Sequence, residues 1–372
     1  MPINCYYMPT KVFAGDNVIR TTKEEWKLFG GKAIIITSPN SADKSGALLD
    51  LQAKLAEEQI KVSYFKQVEE NPSFQTVLKA AKQGREFAAD FVIGIGGGSP
   101  LDCAKAVAVL LKYEETAFST IELGKKLLMS AQKSVAPLIA IPTTAGTGSE
   151  VTPYAVITDR EEQVKKTLPT KIFPALAYLD PTYLLSLEQF YRLSTGLDAL
   201  AHGIEGYLSV QANMFSDTWA EQCFREFARV KTILVKKDID IQEARSLLFF
   251  SNYAGFVIAQ TGTSLPHGLS YSLTVKKNLP HGFACALFLV PYLKMHPWQQ
   301  KVERLLKLCN FENLEDLANW LKSSGIKMPS LEEAEVIAFA KEMFLNTAKL
   351  QSFPRSVSYE EIFMLYQQKN IV

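Results

Sequence analysis

Histidine is the scarcest of the chemically useful residues here, with four in 372 positions. Any imidazole chemistry must therefore rest on very few places. Cysteine is sparse too. Cys5, Cys103, Cys223, Cys285 and Cys309 are scattered, odd in number and form no C-x-x-C. That gives no disulfide framework and fits a reduced, cytoplasmic compartment. Net charge is nearly absent, with 40 basic against 39 acidic side chains. There is no dense Lys/Arg patch interleaved with aromatics. Neither a nucleic acid nor a membrane surface is an expected partner. No uncharged apolar run reaches the roughly 18 residues that a spanning helix needs. The longest apolar stretch, FACALFLVPYL at 283–293, is too short. The first twenty residues lack the apolar core of a signal peptide. Internal repeats and low-complexity tracts are missing as well.

Hydrophobic residues, by contrast, make up 47% of the chain, enough to fill two cores. The first half alternates short apolar runs with helix-spaced segments. KAIIIT (32–37), KVSYFK (61–66), DFVIGIGGG (90–98) and VAPLIAIPTT (135–144) read as strands. Helix-like segments lie at 47–59, 73–87 and 101–111. This is the rhythm of a parallel sheet covered by helices. YAVITD (154–159) and PALAYLD (174–180) are expected as outer strands. Past DPTYLLSL (180–187) the pattern turns helical, at 188–210, 216–235, 240–262, 283–306 and 329–349. The expected division is an α/β domain over 1–181 and an all-helical domain over 182–372, with a ligand cleft between them.

Two loops suit a nucleotide. GIGGGSPLDCAK (94–105) follows an apolar strand and opens a helix. Glycines let the backbone approach a ligand, and the helix N-terminus offers unpaired N–H groups to a pyrophosphate. The usual G-x-G-x-x-G spacing fails, because Ser99 stands where the last glycine belongs, and the preceding strand is not the first. A glycine turn used only for packing is the plainer alternative. Asp102 either caps this helix or bonds a ligand. PTTAGTGSE (142–150) lines a cofactor with its hydroxyls or is a polar surface turn.

Three of the four histidines fall into one pattern. Asp198 and His202 are four apart in STGLDALAHGIEGYLS, so a helix puts them on one face. His267 and His281 follow, with a loop-length insert between them, in TGTSLPHGLSYSLTVKKNLPHG. One carboxylate and three imidazoles can hold a divalent metal, and zinc, iron and manganese all accept such donors. Each histidine could equally be a satisfied core or surface residue. His296, in HPW, is expected near a helix end with a structural role.

Taken together, GGGSPLDCAK (96–105), PTTAGTGSEVTPYAVITD (142–159), STGLDALAHGIEGYLS (194–209) and the paired His267 and His281 resemble the iron-containing (group III) alcohol dehydrogenase family. The likeness covers essentially the whole chain and is greatest to the bacterial 1,3-propanediol and butanol dehydrogenase branch. It implies a Rossmann-like α/β nucleotide domain and an all-helical C-terminal domain, an architecture shared with dehydroquinate synthase. It implies that Asp198, His202, His267 and His281 ligate the metal, Fe2+ ahead of Zn2+ or Mn2+. It further implies that Gly96, Gly97, Gly98 and Ser99 hold the dinucleotide pyrophosphate, with Asp102, Thr143, Thr144, Thr147 and Lys165 elsewhere around the cofactor. Pro153, Tyr154 and Ile258 are expected near a small alcohol, diol or aldehyde substrate. A homodimer is the expected assembly.

Two positions depart from the family pattern. Many members carry a further histidine four residues after the third ligand, where this chain has Tyr271. A histidine proton path is not expected there, and Tyr271 either donates a hydrogen bond or packs. Strictly NAD-using members often place an aspartate after the first strand's final threonine. Here Ser38 follows Thr37, with Ser41 and Lys44 nearby to bond and neutralise a 2′-phosphate, so NADP(H) is expected over NAD(H). The competing readings are an NAD-dependent glycerol dehydrogenase-like or dehydroquinate synthase-like enzyme of the same architecture, and a non-enzymatic dinucleotide-binding protein.

Overall fold

The computed structural model describes residues 4–112, 135–162, 164–168 and 171–368. Two compact units are present. One comprises Met8–Leu187 with Asp238–Leu248, and the other Glu188–Lys237 and Phe249–Val372 with Met1–Tyr7.

The first unit is built on strands β1 (Lys11–Ala14), β2 (Lys32–Thr37), β3 (Lys61–Phe65), β4 (Phe91–Gly96), β5 (Leu138–Pro142) and β8 (Leu176–Leu179). They form one parallel sheet in the order β1-β8-β5-β4-β2-β3. Its central strands are apolar on both faces, because helices cover both. In KAIIIT, Ile34 and Ile36 join one core with Val77, Ala81, Cys103 and Val107. Ala33 and Ile35 join the other with Leu48, Leu51 and Trp26. The covering helices include α1 (Ala47–Glu57), α2 (Phe74–Glu86) and α3 (Gly98–Leu110).

Two expectations about strands need correction. PALAYLD is not an outer strand: β8 lies between β1 and β5, and all four of its residues are buried. The edge is instead β1, a short strand that the pattern does not reveal. YAVITD stays out of the sheet, since β6 (Val156–Asp159) pairs antiparallel with β7 (Val164–Thr167) in a separate hairpin.

The second unit is helical. Its elements include α4 (Gln189–Tyr207), α5 (Met214–Val230), the larger part of α6 (Ile241–Thr261), α7 (Leu265–Lys276), α8 (His281–Ala286), α9 (Leu289–Met295), α10 (Gln299–Leu308) and α11 (Glu333–Phe344). The single helix expected over 283–306 is three. Pro291 lacks the N–H that would bond Leu287, and its ring clashes with that carbonyl, so the chain breaks before α9. Pro297 then separates α9 from α10. The insert between His267 and His281 is mostly α7 rather than a loop. Among the described residues no helix is long and apolar enough to cross a membrane. All five cysteines are free, Cys5 exposed and the other four buried.

Candidate active site

Asp198 and His202 lie one turn apart on α4, His267 in the first turn of α7, and His281 at the start of α8. Each of the three histidines precedes a glycine, and at His281 the reason is plain. A side chain on Gly282 would lie 1.7 Å from the Ser194 carbonyl oxygen of α4. Helix α8 therefore packs backbone against backbone on α4, which brings His281 over Asp198.

The three histidines converge on one atom of Asp198. Asp198 Oδ1 lies 3.3 Å from His267 Nε2, 3.7 Å from His281 Nε2 and 3.9 Å from His202 Nε2. The His202 and His267 rings stack with centroids 4.5 Å apart. Donors about 2.1 Å from one tetrahedral ion stand about 3.4 Å from each other, so this spacing fits a divalent metal. Asp198 Oδ1 and His267 Nε2 are buried and have no hydrogen-bond partner. Buried polar atoms are rarely left so, and a cation would satisfy both. Burial alone would push the Asp198 carboxyl up, but His202, His267 and His281 outweigh it and hold it well below the usual carboxylate range. Burial works against charge on His267, yet Cys285, Glu205 and Asp198 draw its pKa well above the ordinary value.

Glu205 carries no mark in the sequence pattern. It is fully buried and accepts a hydrogen bond from His267 Nδ1 at 2.5 Å. The Ser264 backbone N–H donates to its other oxygen. With a proton fixed on Nδ1, the Nε2 lone pair of His267 faces Asp198, the orientation that a carboxylate imposes on a metal-binding histidine. The signal that could have found it is spacing: Glu205 follows Asp198 by seven and His202 by three, on the same helical face. Cys285 is a second residue the pattern did not single out. Asp198, His267, His281 and Cys285 each place one donor atom within 4.8 Å of the others. The Tyr271 ring lies alongside His281, centroids 6.2 Å apart and 25° from parallel. His296, at the end of α9, bonds the Leu208 carbonyl through Nε2 at 3.0 Å and accepts the Trp298 N–H through Nδ1.

In the α/β unit the carboxyl ends of β2, β4 and β5 lie side by side, with Thr37 opposite Ile95 and Gly96 opposite Pro142. The chain runs from β2 outward to β3 and returns to β4 on the other side. The β2/β4 boundary is thus the topological switch point, where open α/β sheets bind ligands. Gly96 has φ of +139°, which excludes other residues. A side chain at Gly98 would meet the Thr147 methyl at 2.7 Å, and one at Gly97 would meet Thr144 at 3.1 Å. Thr143 N–H bonds the Gly96 carbonyl. The two expected loops thus close on each other around the start of α3, forming a cradle that any Cβ would fill. A glycine turn leading into a helix N-terminus is the kind of backbone that offers N–H groups to an anion.

Other expected residues sit as follows. Ser38 and Ser41 hydroxyls are 2.6 Å apart beside Thr37. Lys44 is exposed at the end of the short helix Ser41–Lys44, while Asp43 pairs with Lys66 at 3.0 Å. Ser99 Oγ accepts from the Asn71 N–H. Asp102 has both oxygens engaged, by Ser149 Oγ at 2.7 Å and by the Val156 N–H at 2.8 Å. Burial raises its pKa despite Lys105 and Lys165. Lys105, three residues on, is wholly buried and donates to Ser149 Oγ and the Tyr154 carbonyl, both at 2.7 Å. Burial pulls its pKa down to about 8. Lys165 lies on β7 opposite Thr158. Pro153 is buried, its carbonyl accepting the Ile172 N–H. Burial also raises the Tyr154 phenol. Ile258 is buried on α6.

Two family models match this chain, "Iron-containing alcohol dehydrogenase" over residues 9–181 and "Fe-containing alcohol dehydrogenase family, C-terminal" over 192–369. The chain is 30% identical to a 1,3-propanediol dehydrogenase of Citrobacter freundii, covering 90% of this chain and 84% of that one. It is 28% identical to an NADPH-dependent butanol dehydrogenase of Clostridium saccharobutylicum, covering 93% and 90%. Its structure is similar to that of an iron-containing alcohol dehydrogenase of Thermotoga maritima, with a TM-score of 0.90, 35% identity and 100% of both chains covered. With matches that run nearly end to end in both sequence and structure, the chain belongs to the iron-containing alcohol dehydrogenase family and is an oxidoreductase.

Proposed function

We propose that this oxidoreductase is a metal-dependent alcohol dehydrogenase and aldehyde reductase. It transfers hydride reversibly between a nicotinamide and a small primary alcohol or diol, and it prefers NADP(H) to NAD(H). Residues 1–181 hold the dinucleotide and 182–372 the metal, in a cytoplasmic homodimer. The observation that carries this reading is a buried, orphaned oxygen, Asp198 Oδ1, facing three imidazole nitrogens at 3.3–3.9 Å. The names of the propanediol and NADPH-dependent butanol relatives support small linear substrates and NADP(H) by likeness.

In this reading Asp198, His202, His267 and His281 hold the ion, Fe2+ ahead of Zn2+ or Mn2+. A bound divalent ion supplies Lewis acidity for the substrate oxygen. Glu205 keeps the proton on His267 Nδ1 and so keeps Nε2 free to coordinate. Gly96, Gly97, Gly98 and Ser99 hold the pyrophosphate, and the surrounding threonines orient the cofactor, which carries the redox chemistry. Tyr271, beside His281, offers a hydroxyl where other members have an imidazole.

The test is elemental analysis of purified protein, joined to assays with butyraldehyde and NADPH or NADH before and after chelation. Near one equivalent of metal, with activity lost on stripping and regained on refilling, is expected. A clean protein that neither holds nor responds to iron, zinc or manganese would sink the reading.

A further inference from the structure

The four candidate metal ligands are not equally open. The His281 side chain is 27% exposed, against 8% or less for Asp198, His202 and His267. Along α7, every residue from Leu265 to Thr274 is buried except Tyr271, and the Tyr271 ring lies alongside His281. The open side of the site is therefore the one that these two rings border. A cation stands on the same side. Lys349 belongs to the short helix Thr347–Gln351. That helix packs tightly on α7 at Gly268, the neighbour of His267, where an added side chain would lie 3.2 Å from Lys349 Cβ. The Lys349 side chain is half-buried. Its ammonium lies 5.8 Å from the centre of the Tyr271 ring and donates to Thr263 Oγ1. A lysine head carries further N–H donors, yet among the described residues this one meets no carboxylate within ion-pair distance. Glu205, at the start of α7, has its oxygens committed to the Ser264 N–H and the His267 ring. A charge partly withdrawn from water without a counter-ion is stabilised by an anion that arrives from outside.

We propose that Lys349 determines specificity, and that the substrate is a small aldehyde, or the matching primary alcohol, with an anionic group at its far end. This rests on the metal-dependent reductase reading above and narrows its substrate class. The anion pairs with the Lys349 ammonium, which holds the other end of the molecule toward the three imidazoles. Ring contacts of 5.8 and 6.2 Å link the ammonium through Tyr271 to His281, so it stands no more than their sum, 12.0 Å, from the centre of that imidazole. A short chain, of roughly two to four carbons, fits this limit once about 2.8 Å is taken by the ammonium–oxygen bond. A carboxylate, sulfonate or phosphonate would each supply the charge.

With metal-loaded, full-length protein and NADPH, kcat/KM for succinic semialdehyde should exceed that for butyraldehyde, its uncharged counterpart of equal length. The factor should be at least about tenfold, which is what one charge-assisted hydrogen bond supplies. Lys349→Met keeps the stem but removes the charge, and should abolish this preference, mainly through KM for succinic semialdehyde. Lys349→Arg keeps a cation and should retain most of it. If Lys349→Met does not fold, Lys349→Gln takes its place. Binding gives a readout apart from turnover. In calorimetry of zinc-loaded protein without cofactor, 4-hydroxybutyrate should bind at least about tenfold tighter than 1-butanol. Salt should weaken that advantage, and Lys349→Met should remove it. A carboxylate that merely sat on the ion would keep its advantage in Lys349→Met. Equal kcat/KM for the two aldehydes in the wild type, or an advantage that survives in Lys349→Met, would overturn the proposal while leaving the metal-dependent reductase standing. Failure to hold metal, or turnover of neither aldehyde, would overturn both.

Discussion

His267 is held from both sides: its Nδ1 proton is committed to Glu205, and its Nε2 points at Asp198. Removing the ring should cost more than removing its support. His267→Ala is expected to purify with well under one equivalent of metal and to lose at least about a hundredfold in kcat/KM, with the helical signature of the fold retained. Glu205→Gln should weaken metal affinity by roughly 10- to 100-fold, measured against a competing chelator. A glutamine has one acceptor oxygen, so its NH2 would face either the His267 Nδ1–H or the Ser264 N–H, donor against donor. If Glu205→Gln held metal as tightly as the wild type, Glu205 would be merely a buried structural acid. His296 allows a test remote from this site. Its folded pKa is pushed down to about 4, chiefly by burial, against about 6.5 in an unfolded chain. Below pH 6.5 the unfolded chain therefore takes up a proton that the folded chain refuses. Stability should fall as pH drops from about 6.5 toward 4. Urea midpoints at pH 7 and pH 4.5 should converge in His296→Gln, which can still donate to the Leu208 carbonyl.

At the scale of elements, much of the architecture is readable because a two-sided parallel sheet writes continuous apolar runs. KAIIIT and FVIGIG are such runs, and both are central strands. The same rule explains the misplaced PALAYLD. A strand buried on both faces belongs inside a sheet, and the edge falls to KVFA, whose outer residues are exposed and leave little apolar signal. Helix α7 passes for a loop in the sequence because its residues are buried all round, so they lack the one-sided stripe that marks a surface helix. The candidate ligands are legible as residue types at helical spacing. Their convergence is not, because it depends on how closely α8 rides on α4. Gly282 controls that approach. Gly282→Ala would drive a methyl into the Ser194 carbonyl. It should destabilise the fold by about 1–3 kcal/mol or more in urea titrations. It should also weaken metal binding, by pushing His281 away from Asp198. An unchanged midpoint would mean that α8 can shift without consequence.

For the molecule as a whole, the decisive preference is which dinucleotide it takes, and this turns on the switch point between β2 and β4. On the proposed reading the adenosine ribose lies near the end of β2, which in this chain reads Thr37-Ser38 and carries no carboxylate. Ser38 and Ser41 present adjacent hydroxyls, and Lys44 lies one turn further on. Asp43, the acid that would argue against a phosphate, is paired with Lys66 at 3.0 Å, so its charge has a counter-ion. We expect kcat/KM to favour NADPH over NADH. Ser38→Asp places a fixed negative charge where a 2′-phosphate would sit, and two such charges about 4 Å apart repel by about 1 kcal/mol even in bulk water. That repulsion, together with removal of the serine hydroxyl as a phosphate donor, should cut kcat/KM for NADPH about tenfold or more. NADH carries no such phosphate and should be affected little. Lys44→Ala should act in the same direction but be masked by salt, because the side chain is exposed. Metal content should be unchanged in both variants, which separates a cofactor effect from damage to the helical unit. If Ser38→Asp treats NADPH and NADH alike, the end of β2 does not read the ribose, and the cofactor preference must be sought elsewhere around the glycine cradle.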